Sequence, residues 1–235
     1  MAVNKLYQFS ILNALMDGVA DEGISVATML ESGDHGLGTF KHLDGEMVVI
    51  DGIAYQMKQD GSILIADPEM VVPFAMVTRF QPTQVAVGSL SGKDALDLHI
   101  SEHLPNARNL FVAIRIDGQF EHITVRTVGK QEYPGECLVD VGKRQVVRTL
   151  SNTTGTLVGF YSPGFSQGLS VAGYHLHFLE DNRGNGGHML DFRGGNLQIS
   201  LSPITRVELE LPQSNGFNAA TLLADAGNIQ QVEGR

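Results

Sequence analysis

The chain is nearly without cysteine, wholly without tryptophan, and short of positive charge. Its one cysteine, Cys137 in G-E-C-L-V-D, excludes an internal disulfide and any zinc site built on paired thiolates. With no His–Asn pattern nearby, it reads as a structural thiol rather than a nucleophile. The longest apolar run, residues 70–77, is interrupted by Pro73 and is too short to span a bilayer. Lys and Arg number 16 against 26 Asp and Glu, a formal charge of −10. Nucleic-acid binding needs clustered cations to neutralise phosphates, so that partner class is not expected. An anionic small molecule would be repelled at long range and needs a local cationic site. The opening MAVNKLYQFS lacks the charged-then-apolar layout of a signal peptide. The expectation is a cytoplasmic protein with no membrane association.

What is present is a globular composition, 43% hydrophobic and 18% charged, with 27 glycines that favour many tight turns and hence β-structure. A chain of 235 residues can bury one large core or two small ones packed together. Residues 7–18 carry Phe9, Leu12, Leu15 and Met16 at helical spacing, and a second helix is expected over about 25–32 behind Ser25. Asp-Gly recurs at 44–45, 51–52 and 60–61 between apolar runs, the pattern of a hairpin meander. Pro73 implies an edge or a bulge in the strand that contains it. Residues 91–103 read as a helix capped by Ser91, with Leu96, Ile100 and Leu104 on one face and Pro105 closing it. Beyond 109 the pattern is strands, two of them around Asp117-Gly118, with a short helix within 131–145 and a last one near 218–225. The change of character near 105 divides the chain into 1–105, an α+β subdomain, and 106–235, a β-rich one.

Five of the eight histidines are scattered and three are not. His175 and His177 alternate in G-Y-H-L-H-F-L, so a strand places both rings on one face. Ten residues rich in Gly, Asn and Asp precede His188, and a hairpin folded there brings His188 about opposite His177. Cross-strand side chains stand about 5 Å apart, close enough for three imidazoles to share a metal at about 2 Å per nitrogen. Three histidines with no fourth protein ligand nearby is the open pattern of a catalytic Zn²⁺ site, although imidazole also suits Cu²⁺, Ni²⁺ or Fe²⁺. Histidines on a strand can also do no more than cover a polar face, and three sharing one face weigh against that. His-x-His in a β-rich chain is similar to cupins too, with Glu180 as a further ligand and an Fe²⁺ or Mn²⁺ oxygenase or isomerase as the activity. The second cupin motif, Pro-Gly-His, is missing. His99 and His103 stand four apart on the expected helix but show no third ligand. His42 and His122 read as surface or ordinary core residues.

The segment GFYSPGFSQGLSVAGYHLHFLEDNRGNGGHMLDF resembles the core signature of bacterial acetolactate decarboxylases. GDHGLGTFKHLDGEMVVIDG, FVAIRIDGQFEHITVRTV and the terminal QQVEG match in the same order, so the resemblance covers roughly residues 7 to 233. One departure is His35, where an aromatic such as Phe is usual. The resemblance implies metal ligation by His175, His177 and His188, and active-site roles for Glu46 of L-D-G-E, Arg126 of V-R-T-V, Thr39 of G-T-F and Glu233 of the tail. It implies an α+β fold of two packed β-rich subdomains with mixed sheets and short helices, a homodimer formed through the N-terminal sheet, and a C-terminal tail folding back to the metal. Its implied reaction is the zinc-dependent decarboxylation of a small 2-hydroxy-3-keto acid, 2-acetolactate, to acetoin and CO₂. A cupin-like enzyme and a non-enzymatic zinc-binding module are the alternatives.

The chemistry suits those residues. Loss of CO₂ leaves an electron pair on C2 that the neighbouring ketone can take up, so the substrate carries its own electron sink. The site then needs an electrophile at the ketone oxygen and a proton donor at C2. A cation held by three neutral imidazoles serves the first need. Glu46 or Glu233 could serve the second. The resemblance makes Arg126 a clamp for the substrate's oxygens; the residues alone favour a salt bridge to an acidic neighbour such as Glu121. Thr39 could orient a metal-bound oxygen or be an ordinary strand residue.

Overall fold

A computed structural model describes residues 4–223. The first half of the chain runs β1 (Lys5–Phe9), α1 (Leu12–Met16), β2 (Ile24–Ser25), α2 (Val26–Ser32), β3 (His35–Thr39), β4 (Glu46–Ile50), β5 (Ile53–Met57), β6 (Ile63–Ile65), β7 (Val71–Val72), β8 (Phe74–Thr78), β9 (Gln84–Leu90) and α3 (Lys93–His103). The second half runs β10 (Phe111–Thr127), α4 (Leu138–Gly142), β11 (Val146–Ser162), β12 (Gly173–Glu180), β13 (Gly186–Ile204), β14 (Arg206–Glu210) and α5 (Asn215–Ala219).

Strands dominate, in an α+β arrangement of several sheets with few, short helices. The larger sheet has the order β14-β1-β8-β3-β4-β5-β6 and is mixed, because β14 pairs with β1 in parallel. In the other sheet β10, β11, β12 and β13 pair in sequence and β10 also pairs with β13, which closes a ring with β9 appended. β9 and α3 precede residue 105 yet lie with this second sheet, and β14 returns to the first.

Local signals explain several elements. Ser25 caps α2 by accepting from Thr28 N at 3.1 Å, as its sequence suggests. Asp51 and Gly52, with φ of 52° and 79°, form the left-handed turn joining β4 to β5. The helix expected over 7–18 is a five-residue α1, because Tyr7, Gln8 and Phe9 are claimed by a strand pairing with Val77, Met76 and Ala75. α3 starts at Lys93 with Gly92 as its cap residue and no side-chain cap bond, so Ser91 does not cap it. Asp117-Gly118 does not turn the chain: β10 runs through it, with a bulge between Asp117 and Phe120. Partner strands on both sides hold this segment extended, and Asp117 is tied by Arg115 Nε and the Thr156 hydroxyl. Pro73 separates β7 from β8, and β8 lies inside its sheet between β1 and β3 rather than at an edge. Among the described residues the last helix is Asn215–Ala219, where Ser214 accepts from Phe217 N; the helix expected near 218–225 extends past them.

The core has an inner and an inter-sheet part. Leu176 and Phe178 of β12 point inward among Ile114, Ile116, Phe120, Leu157 and Phe192. Leu179, two residues on from His177, packs instead with Val48, Ile50 and Met57 of the first sheet. Alternation along β12 therefore aims His175 and His177 at the first sheet while their neighbours fill the ring. That choice sets the position of the site.

Candidate metal centre

Antiparallel pairing of β12 with β13 sets His177 opposite His188. The next pairing outward sets His188 opposite Arg126 on β10. One row across three strands thus carries Arg126, His188 and His177, and His175 stands two residues along β12. Gly187 makes the row possible. Its φ is 149°, and a β-carbon there would lie 2.4 Å from Arg126 O.

The three rings are buried, with centroid separations of 5.0, 5.1 and 5.4 Å. One ligand nitrogen from each lies within 4.8 Å of the others, so the described residues include a histidine triad that could hold a metal ion. His177 shows how the donors are prepared. Its Nδ1 lies 2.6 Å from Met47 O, a carbonyl that can only accept, so Nδ1 carries the proton and Nε2 keeps its lone pair. Nε2 has no hydrogen-bond partner and faces Glu46 Oε2 at 3.5 Å. A buried imidazole nitrogen that keeps its lone pair and meets no donor is suited to a cation. Burial holds the His177 pKa down at about 3, with the Arg126 charge acting in the same direction. His175 is held well below the usual imidazole range, first by burial and then by electrostatic interaction with its neighbours His177, Arg126 and Lys93. Both rings are therefore neutral, the ligand form.

Glu46 begins β4 and pairs across the hairpin with Thr39 of β3. Its Oε1 accepts from Arg126 Nη1 at 2.9 Å, a buried ion pair joining the two sheets. Arg126 thus pairs with Glu46, 80 residues away, rather than with Glu121. The Thr39 hydroxyl donates to Gly45 O at 2.7 Å, bracing the turn that presents Glu46. A small cavity of about 30 Å³ opens beside these groups, lined by Thr39, Glu46, Arg126 and His175. Leu12, Leu15, Leu43, Phe74, Val128 and Leu138, all members of one buried cluster, also line it.

Sequence reasoning missed three contributors. The Met47 carbonyl is backbone and leaves no signal in residue type. Lys93 acts on His175 from the start of α3, far from any motif. The apolar lining comes from α1, α4, Phe74 of β8, Leu43 in the turn before β4 and Val128 just past β10, positions that periodicity assigns simply to the core. The remaining histidines lie apart from the triad: His42 pairs with Asp21 at 2.8 Å, His122 with Asp191 at 3.0 Å, and His99 stacks on His103 at 4.0 Å. Glu180 accepts from Thr153 and Asn185 at the hairpin and is not among the clustered ligand groups. Glu233 lies outside the described residues.

A two-sheet scaffold presenting three neutral histidines to one buried point, beside an Arg–Glu pair and a small cavity, defines a candidate metalloenzyme. The chain belongs to the alpha-acetolactate decarboxylase family, whose profile matches residues 6–224, and it is an enzyme of the carboxy-lyase class. Alpha-acetolactate decarboxylase of Klebsiella aerogenes is 40% identical over 219 residues, covering 92% of this chain and 84% of that protein. The Bacillus subtilis strain 168 protein of the same name is 36% identical over 221 residues, covering 94% and 86%. A crystal structure of alpha-acetolactate decarboxylase from that strain superposes with a TM-score of 0.93 at 35% identity, covering 98% of this chain and all of that one. A Staphylococcus aureus structure, described as a protein of unknown function similar to this family, gives 0.91 at 29% identity, covering 97% and 98%.

Proposed function

We propose that the chain converts 2-acetolactate to acetoin and CO₂, using Zn²⁺ held by His175, His177 and His188. The observation that carries this reading is the lone pair of His177 Nε2 facing Glu46 within a buried triad, in a chain of this family. Bound there, the cation would supply Lewis acidity at the substrate's ketone and hydroxyl oxygens. Arg126 offers the local positive charge that a chain of net charge −10 otherwise denies an anionic substrate. In this reading Arg126 orients the substrate's oxygens while its bond to Glu46 fixes both side chains. CO₂ departs with cleavage of the C1–C2 bond, the electron pair passes into the ketone, and C2 must then gain a proton. Glu46 is proposed to handle that proton, with Glu233 as a second carboxyl drawn from the family resemblance. Thr39 is proposed to act through the turn it braces.

Zinc-loaded protein and fresh 2-acetolactate provide the test, with acetoin as the readout. No acetoin above the spontaneous rate would sink the reading. We also read the chain as two packed subdomains, 1–105 and 106–235, with the first forming a homodimer through its sheet and the protein working in the cytoplasm. The exposed Leu64 and Ile65 on β6, at one edge of that sheet, support the dimer. Light scattering that gives a monomer mass would refute it. No helix of the described residues is long and apolar enough to cross a membrane.

A further inference from the structure

His188 stands opposite His177 on a short ladder. β12 and β13 pair at three positions, Leu179 with Gly186, Phe178 with Gly187 and His177 with His188. The histidine rung is the one furthest from the turn. On its other side β13 runs along β10, where Thr124 meets Asp191 but Val125 meets Met189. An extra residue, Leu190, is taken up between those rungs, so the long ladder does not carry its register through to Arg126 and His188. A slip of one residue would turn His188 to the opposite face, away from the other two rings. The register therefore has to be held at the turn.

Glu180, the last residue of β12, stands there. Its backbone N donates to Asn185 O at 2.9 Å and closes the turn. Both oxygens of its carboxylate are engaged. Oε1 accepts from the Thr153 hydroxyl of β11 at 2.6 Å, and Oε2 accepts from Asn185 Nδ2 at 2.7 Å. Asn185 immediately precedes β13, so one side chain joins β11, β12 and the start of β13. We propose that Glu180 is a positioning residue for the metal, holding the β12–β13 register that keeps His188 opposite His177. The inference rests on the metal-dependent reading above and deepens it. Hydrogen bonds to a charged acceptor are about twice as strong as neutral ones, and a slip of β13 would break the bond to Asn185. Alanine at 180 would also leave the buried Thr153 hydroxyl without its acceptor. Glu180 is not among the clustered ligand groups, so its effect reaches the metal through the two histidines.

The experiment measures zinc dissociation constants, by competition with a chelator, for wild type, Glu180→Ala, Glu180→Gln and Asp60→Ala. Asp60 is the control, because it braces the β5–β6 turn by accepting from Ser62 N at 2.8 Å and Ser62 Oγ at 2.6 Å. No histidine lies on that hairpin. Glu180→Ala is expected to weaken zinc binding by about 10–100-fold, the range for groups that hold ligands in place. Glu180→Gln keeps an acceptor oxygen without the charge and should weaken it less, and Asp60→Ala should leave it unchanged. Co²⁺ in place of zinc reports the geometry of the three nitrogens through its visible spectrum, which should change in Glu180→Ala and match wild type in Asp60→Ala. Wild-type zinc affinity in Glu180→Ala overturns the proposal. So does an equal loss in Asp60→Ala, which would mark general loosening. Should Glu180→Ala fail to fold, Glu180→Gln decides by the same two measurements. Wild type that takes up no zinc would remove the metal-dependent reading itself, an outcome distinct from undiminished affinity in the variants.

Discussion

His35 and His177 occupy equivalent roles on opposite sheets. His35 on β3 donates from Nε2 to Ile114 O of β10 at 3.1 Å, and His177 on β12 donates from Nδ1 to Met47 O of β4 at 2.6 Å. Each thus ties its sheet to the backbone of the other, each is buried, and burial pushes both pKa values down to about 3. The difference lies around the rest of the ring. His35 lies flat on Phe80 at 4.3 Å and edge-on to Phe160 at 6.2 Å, an aromatic setting. His177 turns its second nitrogen toward Glu46 and shares its space with two more imidazoles. A depressed histidine pKa therefore does not mark a functional residue by itself. Convergence of several donors on one point does.

The largest expected effect breaks the pair apart. His177→Ala should lose zinc and at least about 10³-fold in turnover, because the Lewis acid is worth several kcal/mol, while His35→Phe should retain metal and most activity. Zinc content and acetoin release measure both, and a metal-free His177→Ala with full activity would falsify the site. Next comes the pair that distinguishes the His177 side. Glu46→Gln should lower kcat by about 10²–10⁴-fold with zinc retained, as expected for a lost proton-handling group. A near-wild-type rate would reduce Glu46 to a structural partner of Arg126.

A third test concerns the His35 side alone. The unfolded imidazole takes a proton near pH 6.5 and the folded one only near 3, so the unfolded chain binds more protons across that interval. Stability must fall as pH drops from 6.5 towards 3, by about 2 kcal/mol at pH 5 from this one group. His35→Phe should flatten the acid limb of denaturant midpoint against pH; an unchanged limb would mean His35 does not titrate on unfolding. The smallest effect belongs to the stacked His99 and His103 on α3. Alanine at either should leave zinc stoichiometry intact and stability within about 0.5 kcal/mol, and a drop in stoichiometry would reveal a second site.

Much of the centre was legible because it is local. His175, His177 and His188 lie on two strands joined by one hairpin, so alternation and a turn suffice to bring them together. The hairpin that opposes Thr39 to Glu46 was readable for the same reason. Arg126 was not readable as Glu46's partner. Without the pairing of distant strands, nearby Glu121 is the partner that the residues alone favour, and it is not the one Arg126 takes. Residues 7–9 and the Asp117-Gly118 pair were misread where helical spacing and turn composition lost to strand partners supplied from elsewhere in the chain.

The sequence by itself determined the family, the β-rich character and the three imidazoles on one face of a hairpin, because side-chain alternation and turn chemistry act over a few residues. Only the tertiary structure decided which face of β12 meets the first sheet, which carbonyl orients His177, and which leucines close the cavity. Those depend on contacts between segments 80 to 130 residues apart, such as Glu46 with Arg126 and Met47 with His177, whose geometry is set by packing rather than by any local preference.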